Sequence, residues 1–125
     1  MDDEDVPKVV VERRVRNRRI EVLDLTASFE YQRQAPVADP NEVINLWGDW
    51  TTDPLAETFD MTVYTPAEVE AVRTFHAVWE HVCDVTPDPL PPLEETQTPE
   101  AWGTLRDAAI EALRVFAARG RLPED

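Results

Sequence analysis

The sequence predicts an α+β fold in which a small antiparallel sheet of about three strands carries three helices packed on one face. Three observations point there. Apolar and polar residues alternate through much of residues 9–32, three later segments place apolar residues at helical spacing, and each of those segments opens on its own start signal. A length of 125 residues suits a single domain spanning residues 1–125 and is too short to divide between two cores. With 42% hydrophobic and 30% charged residues, the composition is that of a globular protein rather than a disordered one.

Residues 1–7, MDDEDVP, read as an acidic N-terminal tail ending on a proline. Val9, Val11 and Val15 alternate with charged residues up to Arg16, a first strand. Asn17-Arg18 then forms a tight turn, and a second strand from Arg19 sets Val15 opposite Ile20 and Arg14 opposite Glu21. Leu23, Leu25, Ala27, Phe29 and Tyr31 share one face of the next strand, with Asp24, Thr26, Ser28, Glu30 and Gln32 on the other. Ile20 and Val22 have the opposite parity, which calls for a bulge near Val22-Leu23.

Helical signals take over beyond this point. Asp39-Pro40-Asn41-Glu42 has an N-cap aspartate, a proline at the first helical position and an acid at the third. Val43, Ile44, Leu46, Trp47 and Trp50 form the apolar face behind it, ending between Gly48 and Thr51. Phe59, Met61 and Val63 alternate as a short strand. Thr65-Pro66-Ala67-Glu68 has capping-box spacing and opens a helix from Pro66 to about Cys83, with Val69, Val72, Phe75, Trp79 and Val82 inward. Residues 86–98 are a Pro-rich internal connection, in which Thr86 to Pro92 exclude helix and central strand, and Leu90 and Leu93 serve as anchors. Thr98-Pro99-Glu100 starts the last helix, lined by Trp102, Leu105, Ala109, Ala112, Leu113 and Phe116, with Gly120 placed as its C-terminal cap.

Several function classes are disfavoured by the same residues. No apolar run approaches the roughly 20 residues that span a bilayer, so no membrane association is expected. The acidic start is unlike a signal peptide, and the lone Cys83 allows no internal disulfide, so a cytoplasmic setting is expected. Gly48, Gly103 and Gly120 are isolated, which leaves no phosphate-cradling loop, and no cofactor is expected. His76, Glu80 and Asp84 recur at four-residue spacing, as zinc or iron ligands on a helix would. The order His-x-x-x-Glu-His, ending at His81, nevertheless misses the metalloprotease patterns, and a solvated His76–Glu80 pair beside a buried Trp79 accounts for it more simply. Cys83 has no base at nucleophile spacing and is expected to be a small buried thiol.

Charge is the most informative feature. Twelve basic and twenty-six acidic residues leave a net charge of −14. Lys8, Arg13, Arg14, Arg16, Arg18 and Arg19 crowd into residues 8–19, whereas residues 20–125 hold six basic and twenty-one acidic residues. The arginines 13, 14, 16, 18 and 19 thus form a basic hairpin on an acidic body. Glu21, Asp24 and the tail neutralise that hairpin in part, and the body repels a polyanion, so no nucleic acid is expected as a partner. A dense negative field instead steers basic proteins. Trp47 and Trp50, rimmed by Asp49, Asp53, Glu57 and Asp60, would serve as the contact. The expected function is a non-enzymatic binding protein that occludes a basic protein partner, most concretely a toxin-neutralising immunity-type inhibitor. A small metal-dependent enzyme at His76, Glu80 and Asp84, or a structural or assembly accessory, are the alternatives.

Overall fold

A computed structural model describes residues 7–34, 40–51, 59–86, 93–96 and 100–124. The elements are helices: α1 (Lys8–Thr26), α2 (Phe29–Gln34), α3 (Pro40–Trp50), α4 (Pro66–Val85), the single turn α5 (Leu93–Thr96) and α6 (Glu100–Phe116). Among the described residues there is no strand, so the expected α+β class, its hairpin, its three strands and its bulge are all overturned. Asp39, the expected N-cap, and most of the Pro-rich connection, Leu90 included, lie outside the described residues.

Residues 8–26 fold as one helix because the residues that need burial recur at helical spacing. Arg16, Arg19, Val22, Leu23 and Thr26 are buried at steps of three and four positions, and Val10 and Asn17 are buried with them. Three of these are strongly polar, and this hides the period from any reading based on hydrophobicity. Valine alternation had suggested the wrong parity: Val10 is buried while Val11 is 45% exposed. The same holds further on, where Thr26 and Gln32, expected on the solvent side of a strand, are buried and Tyr31 is exposed. Gln32 explains the bend between α1 and α2. Its side-chain amide donates to the Leu25 and Thr26 carbonyls at 3.2 Å, satisfying the orphan end of α1. Ser28 Oγ accepts from the Tyr31 backbone N–H at 3.0 Å and caps the start of α2.

The expected strand at Phe59, Met61 and Val63 is a turn. Asp60 Oδ1 accepts from the Thr62 backbone at 2.8 Å and from its hydroxyl at 2.6 Å, while the Asp60 carbonyl takes the Val63 and Tyr64 N–H groups. These hydrogen bonds hold the Asp60 carboxyl below the usual carboxylate range. Val63 and Tyr64 are thereby turned into the core, immediately before the Thr65–Glu68 capping box that opens α4 as expected.

Helix α4 packs along α6, α1 lies against α6 and α3, and α2 folds back on α1. Leu23, Trp47, Val63, Val72, Phe75, Val82, Trp102, Leu105, Ala109 and Phe116 share one core, which agrees with most of the inward faces expected for α3, α4 and α6, although Trp50 is exposed and Leu46, Trp79 and Leu113 are only partly buried. Beyond α6, Gly120 adopts φ +70°, a left-handed conformation that glycine takes without strain, and its N–H donates to the Phe116 carbonyl at 2.8 Å. No helix of the described residues is long and apolar enough to cross a membrane.

A buried charge cluster joins these parts. Glu68, 1% exposed, accepts from Arg16 Nε at 3.3 Å and from Arg16 Nη2 at 2.8 Å, and Arg119 closes on both of its oxygens. Arg16 is itself fully buried over the Phe116 ring and donates Nη1 to the Gly120 carbonyl at 2.6 Å. Burial alone would raise the Glu68 pKa. The hydrogen bonds from Arg119, Arg16 and the Thr65 backbone outweigh it and hold the carboxyl below its ordinary value. A carboxyl depressed in the folded state stabilises above its unfolded pKa, about 4.3, and that contribution disappears as pH falls through the lower folded value. Glu68→Gln keeps the cap geometry and removes the charge, so it should cost about 3–5 kcal/mol in urea unfolding at pH 7. Because the variant lacks the titrating group, its stability should also fall less than the wild type's between pH 6 and pH 3.

Candidate functional site

The expected basic hairpin is a helix whose arginines point in several directions. Arg16 and Arg19 are buried. Arg19 caps the C-terminal end of α3, donating Nε to the Trp50 carbonyl at 3.0 Å and to the Thr51 hydroxyl at 3.2 Å, and it donates Nη1 to the Tyr64 hydroxyl at 2.7 Å. Arg18 lies on the surface between Glu21, at 2.9 Å, and Glu124, at 2.7 Å. Arg14 is exposed and donates to the Glu124 carbonyl at 3.3 Å, and Arg13 is half-buried. Asn17, at the centre of the expected turn, is buried. It donates to the Leu122 carbonyl at 2.8 Å and accepts from the Leu122 N–H at 3.0 Å, tying the C-terminal segment to α1. The segment is therefore largely a set of internal staples, not the exposed basic hairpin expected.

The expected aromatic contact is divided. Trp47 is 1% exposed and stacks edge-on to Phe75 with ring centroids 4.6 Å apart, so it belongs to the core. Trp50 is 39% exposed, Asp49 is exposed, and Asp60 is occupied with Thr62. Asp53 and Glu57 lie outside the described residues. A groove of about 260 Å³ is lined by Trp50, Tyr31, Val22, Leu25 and Leu46 together with Arg18 and Glu21.

His76 sits where α3 meets α4 and is buried, not solvated. Trp47 Nε1 donates to His76 Nδ1 at 3.1 Å, and His76 Nε2 lies 2.8 Å from Glu80 Oε1. An indole nitrogen can only donate, so Nδ1 is the acceptor and the proton of the neutral ring resides on Nε2, facing the carboxylate. Both ring nitrogens are thus engaged inside the protein. Trp79 packs on the same ring at 5.3 Å and donates to the Ile44 carbonyl at 2.7 Å, while Gly48 leaves room for its indole. Asp84 is exposed one turn beyond Glu80, and no group of three potential ligands able to hold a metal ion occurs among the described residues. The arrangement is a hydrogen-bonded junction between two helices.

Cys83 departs from expectation, being exposed rather than buried. Desolvation of the sulfur, followed by the carboxylates of Asp84 and Glu80, pushes its thiol above the ordinary value, which opposes thiolate chemistry.

What sequence reasoning missed is an apolar groove of about 440 Å³ between α4 and α6. It is lined by Ala67, Ala71, Phe75, Ala108, Ala112 and Val115 together with the exposed Glu70, Thr74 and Glu111. The alanines at 67, 71, 108 and 112 stand four apart on each helix, and that spacing was the available signal.

No protein-family model matches the chain, and comparisons with curated proteins and with solved structures return no match. No relative therefore supports the inhibitor or immunity-type role expected from charge.

The His76 junction makes a testable distinction. His76→Ala leaves the Trp47 N–H buried without an acceptor and should cost about 1–3 kcal/mol. Glu80→Gln, whose side chain is 63% exposed, should cost less than about 1 kcal/mol. Urea unfolding of the two variants measures the difference.

Proposed function

We propose that this chain is a non-enzymatic binding protein whose acidic exterior receives a basic protein partner. The observation that supports it most is where the arginines go. Arg16 and Arg19 are drawn into the interior, whereas Glu68 is the buried carboxylate among the described residues. The exterior therefore carries more of the negative charge than the net −14 alone suggests. Much of the remaining positive charge is spent locally: Arg18 and Arg121 on Glu21 and Glu124, Arg114 on Glu111, and Arg106 on Asp107. A field of one sign accelerates encounter with an oppositely charged surface and disfavours like-charged partners. The His76 junction adds no competing chemistry, since both of its nitrogens are bound within the fold. A cytoplasmic setting accords with this, because the exposed Cys83 thiol is compatible with a reducing compartment.

The test begins with capture by the tagged chain from the lysate of its source organism at low salt, with elution at about 0.5 M salt. A basic protein recovered this way should associate at a rate that falls at least about tenfold between roughly 0.05 and 0.5 M salt. A rate that stays flat over that range, or capture dominated by acidic proteins, would contradict the proposal.

A further inference from the structure

We infer that the groove between α4 and α6 is the docking site for a basic amphipathic helix of the partner, an inference that rests on the acidic-binder proposal and locates its contact. Apart from Thr74 and the two glutamates the groove is lined by apolar residues, and Ala67, Ala71, Ala108 and Ala112 are small enough for the backbone of a third helix to approach closely. The glutamates are Glu70 and Glu111, and no lysine or arginine is among the lining residues. Arg114 does pair with Glu111 at 2.9 Å, but both side chains are about two-thirds exposed and such a pair exchanges readily for another cation.

Charge selects the occupant. A second copy of this chain would bring another net −14 against these glutamates. The acidic N-terminal residues of the chain are disfavoured for the same reason. The smaller groove beside Trp50 has Arg18 as well as Glu21 in its lining, so it offers a basic segment a mixed reception instead. Shape selects a helix. Among the described residues there is no sheet edge to pair with an extended peptide, whereas two packed helices with small side chains between them form the groove of a helix-in-groove complex. Apolar side chains on one face of the ligand would pack on the alanines, and flanking lysines or arginines would meet Glu70 and Glu111.

The experiment uses the full ¹⁵N-labelled chain and three synthetic peptides of about five helical turns. One has leucine on one face and lysine on the other, the second has the same composition scrambled, and the third replaces lysine by glutamate. At roughly 0.05 M salt the ordered Leu–Lys peptide should perturb backbone resonances of residues 67–75 and 108–115 first. It should bind at least about tenfold more tightly than the scrambled peptide. Glu70→Lys combined with Glu111→Lys should weaken it by about tenfold or more. Asp24→Lys combined with Asp84→Lys makes the same charge change at exposed helix ends away from the groove and should weaken it far less. Equal weakening by both double variants, with shifts spread over the exposed acids, would overturn the groove and leave the acidic-binder proposal standing. Failure of both lysine peptides to bind would overturn the two together. Equal binding of the Leu–Glu peptide, or self-association that shifts the groove resonances, would overturn the basic occupant.

Discussion

Glu68 is the constraint on which the described structure depends. It is a buried carboxylate held by arginines from two remote parts of the chain, Arg16 in α1 and Arg119 beyond α6. A charge taken out of water is tolerated only when its partners and the remaining lone pairs are all satisfied. Each component here is incomplete without the others. Arg16 needs the Gly120 carbonyl, Arg119 needs the Val63 carbonyl, and Glu68 also closes the capping box with Thr65. The start of α4, the turn before it, the middle of α1 and the end of the α6 region therefore become ordered together. An apolar core alone would not impose that register, because the same residues could pack in neighbouring arrangements at little cost.

The same economy sets the outward character of the molecule. Arginines that a composition table counts as basic surface serve instead as internal ties: Arg16 to Glu68, and Arg19 to the end of α3 and Tyr64. Glu124 and Glu21 absorb Arg18 and Arg121, and Asn17 together with Arg18 holds the Glu124 carboxyl below its usual range. Acidic residues outnumber basic ones outside this cluster, and the α4–α6 groove has two of the carboxylates, Glu70 and Glu111, in its lining. Fold stability and surface charge are thus two results of a single placement of arginine side chains.

How much of this was legible follows from the chemistry of each face. Helices α3, α4 and α6 were readable because most of their buried residues are apolar, Glu68 and His76 of α4 apart, and because their starts or ends carry local signals, such as Thr65 with Glu68 and the left-handed Gly120. Helix α1 was not, because Arg16, Asn17 and Arg19 occupy its inward face, and no hydrophobic pattern marks a side chain buried for its hydrogen bonds. Alternating valines then suggested strands that are not formed. The His76–Glu80 contact was legible from four-residue spacing, but its burial against Trp47 depends on a residue 29 positions away. The alanine spacing on α4 and α6 marked a small-residue stripe on each helix, but not that the two stripes would face one groove.

The central claim is that two arginines of α1, Arg16 and Arg19, are interior. Side-chain NMR of the guanidinium Nε–H groups tests it directly. Arg16 and Arg19 should exchange with water at least about a hundredfold more slowly than the exposed Arg114, with shifts that do not respond to added salt. Exchange of Arg16 and Arg19 as fast as Arg114 would place these side chains in solvent and contradict both the buried cluster and the acidic exterior derived from it.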